Sequence, residues 1–366
     1  MSNKDINKCT SYDLTEWDHP LVLSTKNLVE PEGSEVLIKV TAAGLCHSDL
    51  HIKKGYMDLG EQGKLTFAER GAVLPMTLGH EIAGVVEKVG DLVQTVKIGQ
   101  QVLVFPWVGC GKCLACLDNR ESDCESMRII GLKQNGGFAS HCLIENESLL
   151  IDIDGLDSSE VVSHACAGLT VYNALEKLGP LRDHEWLAIL GCGGLGLNAI
   201  SIAAAMGFKN IIALDIDPQK LETAKAMGAT KTFNNSEAND SDKLKQITKH
   251  CLMAILDTHG STNSANIAVR ALAKAGTYIV VGQAGGDFKI PLIWLPQKAM
   301  TVRGSHVGNS TQLRKLINMV REKKIKQIPI ERRSLSHINQ AITDLESGKV
   351  NGRIVFNPDT SQDLAG

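Results

Sequence analysis

"LAILGCGGLGLNAISIAAAMGFKNIIALDID" occupies residues 187–217 and indicates the architecture of the region around it. An apolar strand leads into G-x-G-x-x-G at Gly191, Gly193 and Gly196, followed by a helix with apolar residues at helical spacing and a second apolar strand. Glycines at these positions permit a tight turn and the close approach of backbone to a pyrophosphate. The stretch therefore predicts the strand–helix–strand unit of a dinucleotide-binding domain.

An acidic residue at the end of the second strand, Asp215, refines this prediction. A carboxylate at this distance from the glycines accepts hydrogen bonds from the adenosine ribose hydroxyls. The same carboxylate repels a 2′-phosphate, and the next two residues, Ile216 and Asp217, supply no guanidinium to bind one. The sequence therefore favours NAD over NADP as the cofactor.

Strand and helix patterns continue to alternate from about residue 166 to residue 305, as in a doubly wound parallel sheet. Residues 1 to about 165 instead show short β-like runs separated by Gly and Pro turns. After residue 305 two helical patterns lead to the terminal strand GRIVF, residues 352–356, which is predicted to rejoin the first region. The expected fold class is α/β, with a Rossmann sheet and a second, β-rich domain.

Composition narrows the range of functions. The 366 residues are 43% hydrophobic and 22% charged, which is typical of a globular protein with two domains. A formal net charge of −3 offers no polybasic surface, so we expect neither nucleic acid nor membrane as a partner. The first seventeen residues lack a signal-peptide pattern, and no apolar run is long enough to span a bilayer. We expect a cytoplasmic protein.

Four of the ten cysteines stand in GCGKCLACLDNRESDC, residues 109–124, as Cys110, Cys113, Cys116 and Cys124. This spacing lets four thiolates converge on one tetrahedral ion, with zinc–sulfur distances of about 2.3 Å. Four thiolates leave no open coordination position, so the ion would stabilise the lobe rather than react. A ferredoxin-like iron–sulfur cluster and a nucleic-acid-binding zinc ribbon are the alternatives. The first lacks a second cysteine run and the second lacks basic surroundings, so we predict structural zinc.

Two further segments precede this lobe: AAGLCHSDLHI at 42–52 and LGHEIAGVVEKVG at 78–90. With the lobe, CAGLTVYNAL at 166–175 and the glycine motif, they occur in the order found in zinc-dependent medium-chain alcohol dehydrogenases. The chain resembles that family over essentially its whole length, and it is most similar to the tetrameric microbial NAD-dependent members. The resemblance implies a GroES-like catalytic domain and two zinc ions per chain. It also implies a homo-oligomer, with a tetramer favoured and a dimer possible.

The resemblance also assigns a catalytic zinc site. Family members hold this ion with a cysteine, a histidine and a second cysteine, which match Cys46, His80 and Cys166, and they leave one position open. Glu81 resembles the acid behind the metal that coordinates it transiently in some relatives; otherwise it would be a helix-end or surface carboxylate. Asp49 resembles the carboxylate that orients the ligand histidine. Without the resemblance, other residues are comparable candidates: Cys142, His47, His141 and His164.

Ser48 and His51 match the proton relay of the family. In that relay a hydroxyl beside the substrate oxygen passes the proton through the nicotinamide ribose to an imidazole at the surface. Hydride passes from the alcohol carbon to the nicotinamide. The implied reaction interconverts a primary or secondary alcohol with an aldehyde or ketone.

Further residues resemble cofactor and substrate contacts of the family. His47 and Arg353 match cations at the pyrophosphate, although each could also be a solvated surface charge. Thr170 and Leu195 match residues at the nicotinamide, or else pack in the core, and Lys220 matches a contact to the adenosine ribose. Trp107 matches an aromatic wall of the substrate site. The remaining predicted cofactor contacts are Gly194, Val281, Ser305 and Val307.

The predicted domain division places the catalytic domain at residues 1–167 and 307–366 and the Rossmann domain at 168–306. A polyol or threonine dehydrogenase on the same scaffold is an alternative function, and a non-catalytic metal or cofactor binder is another. The segment GYMDLGEQGKLTFAERGAVLPM, residues 55–76, is longer than in yeast-type tetramers, and we expect it to lie near the cleft. His259 stands where relatives more often have a small or apolar residue.

Overall fold

A six-stranded parallel sheet and a seven-stranded mixed sheet form the framework of the chain. A computed structural model describes residues 8–236 and 240–358. The ends of the predicted catalytic domain, residues 1–7 and 359–366, lie outside the described residues. The expected class, an α/β chain with a Rossmann sheet and a second β-rich unit, is confirmed. No helix within the described ranges has the length and apolar character needed to cross a bilayer.

The strands are β1 (Lys8–Leu14), β2 (Val22–Asn27), β3 (Val36–Gly44), β4 (Tyr56–Asp58), β5 (Lys64–Thr66), β6 (Met76–Thr77), β7 (Glu81–Val89), β8 (Gln101–Val104), β9 (Trp107–Val108), β10 (Arg128–Ile129), β11 (His141–Ile144), β12 (Leu150–Asp152), β13 (Trp186–Leu190), β14 (Ile211–Asp215), β15 (Lys231–Asn234), β16 (Leu252–Asp257), β17 (Thr277–Val280), β18 (Thr301–Gly304), β19 (Ile330–Ser334) and β20 (Arg353–Asn357). The α-helices are α1 (His47–Lys54), α2 (Leu114–Leu117), α3 (Ser158–Val161), α4 (Ala167–Leu178), α5 (Gly194–Ala205), α6 (Pro218–Met227), α7 (Asp240–Ile247), α8 (Thr262–Ala271), α9 (Trp294–Lys298), α10 (Ser310–Arg321) and α11 (Ile338–Glu346).

The parallel sheet has the strand order β15-β14-β13-β16-β17-β18. Its central strands are almost entirely buried, which explains their continuous apolar sequences. The chain leaves β13 in one direction through β14 and β15, and it returns to the other side of β13 with β16. This change of direction opens a crevice at the carboxyl ends of β13 and β16, which is where open α/β sheets bind ligands.

The mixed sheet has the order β12-β8-β7-β3-β20-β19, and β11 also pairs with β3. The last strand therefore rejoins the first region, as the sequence predicts. Its register places Val355 opposite Gly44, while Gly44 also lies opposite Glu81 on β7. Three segments that are far apart in sequence thus meet at one end of this sheet.

Sequence patterns did not predict the two edge strands of the parallel sheet, β15 and β18, or the helix α7. All four residues of β18 are exposed, and β15 has no buried residue. An exposed edge strand lacks the apolar pattern that reveals a buried one, so no signal marked β15 and β18.

Candidate active site and metal centres

The helix α1 begins directly after β3 and carries the first group of predicted site residues. Cys46 is its N-cap residue, and Asp49 accepts a hydrogen bond from the Cys46 backbone N at 2.9 Å. Gly55 ends the helix in the left-handed conformation, with φ 90°. Ser48 and His51 are three residues apart and share one face of the helix. Both line the large cavity of the protein.

His80 is buried and held by a carboxylate. Its Nδ1 lies 3.1 Å from Asp49 Oδ1, and both side chains are almost inaccessible to solvent. Its other ring nitrogen, Nε2, is buried and has no hydrogen-bond partner among the described residues. A carboxylate at Nδ1 favours the tautomer that leaves the Nε2 lone pair free, which is the arrangement of metal-ligating histidines.

The ligand atoms of Cys46, His80, Glu81 and Cys166 all lie within 4.8 Å of one another. Glu81 Oε2 is a second buried atom without a hydrogen-bond partner in the described chain. Unpartnered buried nitrogen and oxygen atoms beside two thiols fit a zinc ion. The other candidate ligands, Cys142, His47, His141 and His164, belong to no such cluster within residues 8–236 and 240–358.

A buried ion pair lies next to this cluster, and sequence patterns did not predict it. Arg353 Nη2 is 2.5 Å from Glu81 Oε1, and Arg353 Nη1 donates to Leu45 O at 3.1 Å. Burial raises the pKa of Glu81, whereas the charge of Arg353 lowers it and favours the ionised carboxylate of the pair. Because Glu81 is fully buried and Arg353 is 5% exposed, neither is a solvated surface charge.

The second candidate metal centre consists of Cys110, Cys113, Cys116 and Cys124. Their sulfur atoms also lie within 4.8 Å of one another, with the Cys113 and Cys116 sulfurs 3.5 Å apart and those of Cys110 and Cys116 4.0 Å apart. Sulfur ligands at about 2.3 Å from a tetrahedral ion are about 3.8 Å apart. The lobe therefore has the geometry of a closed tetrathiolate zinc site.

The glycine motif lies at the crevice of the parallel sheet. A Cβ atom on Gly196 would overlap the carbonyl oxygen of Gly191, whereas Gly193 faces open space. The Asp215 carboxylate accepts hydrogen bonds from the backbone N of Cys192 at 2.7 Å and of Asp217 at 3.0 Å. These bonds orient the carboxylate at the end of β14, where it lines the cavity.

One cavity of about 820 Å³ connects the glycine motif to the first metal centre. Many of the site residues predicted from the sequence line this cavity: Cys46, His47, Ser48, His51, His80, Trp107, Cys166, Thr170, Gly191, Gly193, Gly194, Leu195, Gly196, Asp215, Lys220, Val281, Ser305, Val307 and Arg353. Asp49 and Glu81 do not line the cavity but contact residues that do. His259 lines it too, although the sequence suggested no role for this residue.

Two of the predicted cofactor contacts also form hydrogen bonds within the protein. Lys220 Nζ donates to Gly348 O at 3.2 Å, and Ser305 Oγ accepts from Lys177 Nζ at 2.9 Å. Both residues still line the cavity.

The substrate end of the cavity has walls that sequence reasoning largely missed. Trp107 is buried, and its indole N donates to Ala165 O at 3.1 Å, which fixes the ring between His80 and His306. The additional wall residues are Ile52, Met57, Phe67, Arg70, Ile129, Leu132 and His306. Only His306 had a signal, because it stands between two predicted cofactor contacts in RGSHVGN. Isolated apolar wall residues carry no motif.

The hairpin formed by β4 and β5, within the long segment 55–76, lies at the cleft. Glu61 pairs with Lys289 at 2.5 Å, and its backbone N donates to Asp287 at 2.8 Å. Met57 on this hairpin lines the cavity. The segment therefore reaches across to the loop that follows β17.

Several known proteins are similar to this chain. Residues 32–154 match the alcohol dehydrogenase GroES-like domain, and residues 194–322 match the zinc-binding dehydrogenase family. An NAD-dependent alcohol dehydrogenase of Sulfurisphaera tokodaii is 36% identical over 350 residues, covering 94% of this chain and 99% of that protein. An alcohol dehydrogenase of Geobacillus stearothermophilus is 33% identical over 340 residues, covering 91% and 95%. The crystal structure of the Aeropyrum pernix alcohol dehydrogenase has a TM-score of 0.87 at 29% identity, covering 95% and 100%.

A Rossmann sheet, a GroES-like unit and a cysteine–histidine–cysteine cluster at one shared cavity define a class: zinc-binding dehydrogenases that use a dinucleotide. Within that class, the chain belongs to the zinc-dependent medium-chain alcohol dehydrogenase family. The resemblance seen in the sequence is thereby confirmed.

Proposed function

We propose that this protein is an NAD-dependent alcohol dehydrogenase that interconverts primary or secondary alcohols with aldehydes or ketones. The observation that carries the proposal is a single cavity lined by the cysteines and histidine of a candidate zinc site and by the glycine motif with Asp215. The names of the relatives support the same activity.

We propose that Cys46, His80 and Cys166 hold a catalytic zinc ion, with Glu81 as a further ligand candidate behind it. The glycine motif and Asp215 hold NAD, with Thr170 and Val281 among its contacts. When bound, zinc supplies a Lewis acid that favours loss of the alcohol proton, and NAD supplies the hydride acceptor.

The chain itself has to remove the proton. The Ser48 hydroxyl receives it at Oγ, and His51 on the same face of α1 carries it toward solvent. Burial lowers the pKa of His51, so its imidazole is neutral at pH 7 and able to accept a proton. Asp49 keeps the His80 ring oriented, and Trp107 closes one side of the substrate space.

The proposal is tested by adding NAD and a series of linear, cyclic and aromatic alcohols to the zinc-loaded protein and measuring NADH. We expect NADH formation that depends on both alcohol and protein. Oxidation confined to polyols or to threonine would favour the alternative enzymes on this scaffold. If the protein binds NAD but forms no NADH with any of these substrates, the result would favour the non-catalytic alternative.

We expect two zinc ions per chain. Replacing Cys113 with Ser removes one thiolate from the closed lobe, so one zinc ion is lost and the melting temperature falls, while the catalytic zinc is retained. Elemental analysis and thermal unfolding measure the two effects. Full activity in wild-type protein that contains one zinc ion or none would contradict this expectation.

Replacing Asp215 with Gly should raise the KM for NAD about tenfold and narrow the preference for NAD over NADP, because ribose hydrogen bonds and 2′-phosphate repulsion are both lost. Initial rates with both cofactors measure the change. Asp215→Asn is the matched control, because an amide oxygen still accepts from Cys192 N but carries no charge. A wild-type preference for NADP would refute this role of Asp215.

We further propose the domain division 1–167 with 307–366 and 168–306, a cytoplasmic location, and a homotetrameric assembly. The division is supported by α4, which begins at Ala167 and packs mainly against α5, with further contacts to β16 of the parallel sheet. Size-exclusion chromatography with light scattering tests the assembly, and a monomer would contradict it.

A further inference from the structure

The substrate end of the cavity contains an arginine without an ionic partner. Arg70 lines this end together with apolar side chains, and its guanidinium lies 5.7 Å from the centre of the Phe67 ring. It forms no hydrogen bond or ion pair with any residue of the described ranges. The only carboxylate among the described residues that line the 820 Å³ cavity is Asp215, which lies at the glycine motif. Arg70 is solvent-exposed, so its charge lies where the cavity opens to solvent and is free to pair with an anionic group of a ligand.

A row of three rings leads away from the candidate metal centre. The His80 and Trp107 rings are 5.8 Å apart, and the Trp107 and His306 rings are 5.9 Å apart. Burial lowers the pKa of His306, and the nearby charge of Arg70 lowers it further. Arg70 and His306 line the same cavity and interact electrostatically, and a substrate with its hydroxyl group at His80 would extend its tail past Trp107 toward His306.

Space continues beyond Arg70. A second cavity of about 240 Å³ shares Phe67, Arg70, Ile129 and Leu132 with the first. Its two cations, Arg70 and Lys133, outnumber its one carboxylate, Glu125. The second cavity is thus a positively charged recess at the surface that shares part of its wall, including Arg70, with the large cavity.

We propose that Arg70 selects alcohols that carry an anionic group, a carboxylate or a phosphate ester, at the end remote from the reacting hydroxyl. This inference rests on the proposed alcohol dehydrogenase function and deepens it by naming a substrate class. A guanidinium forms two parallel hydrogen bonds to either anion, and the apolar walls accommodate the carbon chain between the two ends. Neutral alcohols of the same length bind without this pairing.

The test compares kcat/KM at saturating NAD for a straight-chain primary alcohol, its ω-hydroxycarboxylate and its ω-hydroxyalkyl phosphate, all of equal chain length. We expect the wild-type protein to prefer the two anionic substrates. In Arg70→Gln, the ratio of kcat/KM for anionic over neutral substrate should fall about tenfold. Arg70→Lys should restore part of that ratio, because charge remains but the two-pronged geometry is lost. A higher salt concentration should reduce the preference for anionic substrates more in the wild-type protein than in Arg70→Gln.

Arg182→Gln is the matched control, because Arg182 is 79% exposed and lies outside both cavities. It should leave the ratio unchanged. A preference for only the carboxylate or only the phosphate ester would identify which anionic group the site recognises. Two results would overturn the role of Arg70 and leave the proposed function intact. One is a wild-type kcat/KM for the neutral alcohol at least as high as for both anionic substrates. The other is an equal loss of kcat/KM for all substrates in Arg70→Gln. Oxidation of no alcohol at all would refute both.

Discussion

In a Ser48→Ala variant, kcat/KM for alcohol oxidation should fall by about 100-fold or more, while zinc content and NAD affinity stay near those of the wild type. This is the usual scale for a positioned proton acceptor. Ser48 lines the cavity one helical turn before His51, and the Cys46 thiol contacts its hydroxyl at 3.7 Å. Steady-state kinetics, elemental analysis and NAD titration measure the three quantities.

Ser48→Thr is the matched control, because it keeps a hydroxyl at this position and should retain much of the activity. His51→Gln should be less harmful, because water can replace a group at the solvent end of the path. It should also flatten the acid limb of the pH profile. Alcohol oxidation needs neutral His51, so the wild-type rate falls as the pH drops through the lowered pKa of His51. Wild-type rates in Ser48→Ala protein with its zinc in place would rule out the relay.

Replacing Arg353 with Met should lower the free energy of unfolding by about 3–5 kcal/mol, because it leaves Glu81 buried without its ionic partner. Both side chains are almost completely buried, and Arg353 is also the donor to Leu45 O. Urea unfolding of the zinc-loaded protein without NAD measures the loss.

Two comparisons isolate the ion pair. The double variant Glu81→Gln with Arg353→Met should recover part of the loss, because no uncompensated charge remains. Arg332→Met breaks an exposed pair with Asp157 and should cost less than about 1 kcal/mol. Equal losses in Arg353→Met and Arg332→Met would contradict a special contribution from the buried pair.

Most of the framework was predictable from local sequence. The runs WLAIL and VLIKVTAAG coincide with β13 and β3, because buried strands carry continuous apolar patterns. The terminal strand also pairs with the first region as predicted. Exposed edge strands such as β18 were not predicted, because their pairing depends on a neighbouring strand rather than on their own residues.

The walls of the cavity were much less predictable. Trp107 was singled out through family resemblance, whereas Phe67 and Arg70 had no motif around them. Such residues become neighbours only when the long segment 55–76 folds back over the cleft. The roles assigned to the relay and to the cofactor contacts stay predictions until the variants are measured.

By itself, the sequence determined the two features whose parts are close together in the chain: the glycine turn with its following helix and the four-cysteine lobe of residues 109–124. Short segments bring such groups together through local backbone geometry alone. Which residues come together at the candidate reactive centre depends instead on the tertiary structure. Pairing of β3 with β7 places Gly44 opposite Glu81, and pairing of β3 with β20 brings Arg353 to the same end of the sheet. Cys46 and His80, which flank β3 and β7, meet there because strand register, which depends on long-range burial, sets their positions. Cys166 joins them from the start of α4, after a turn that packs against β7.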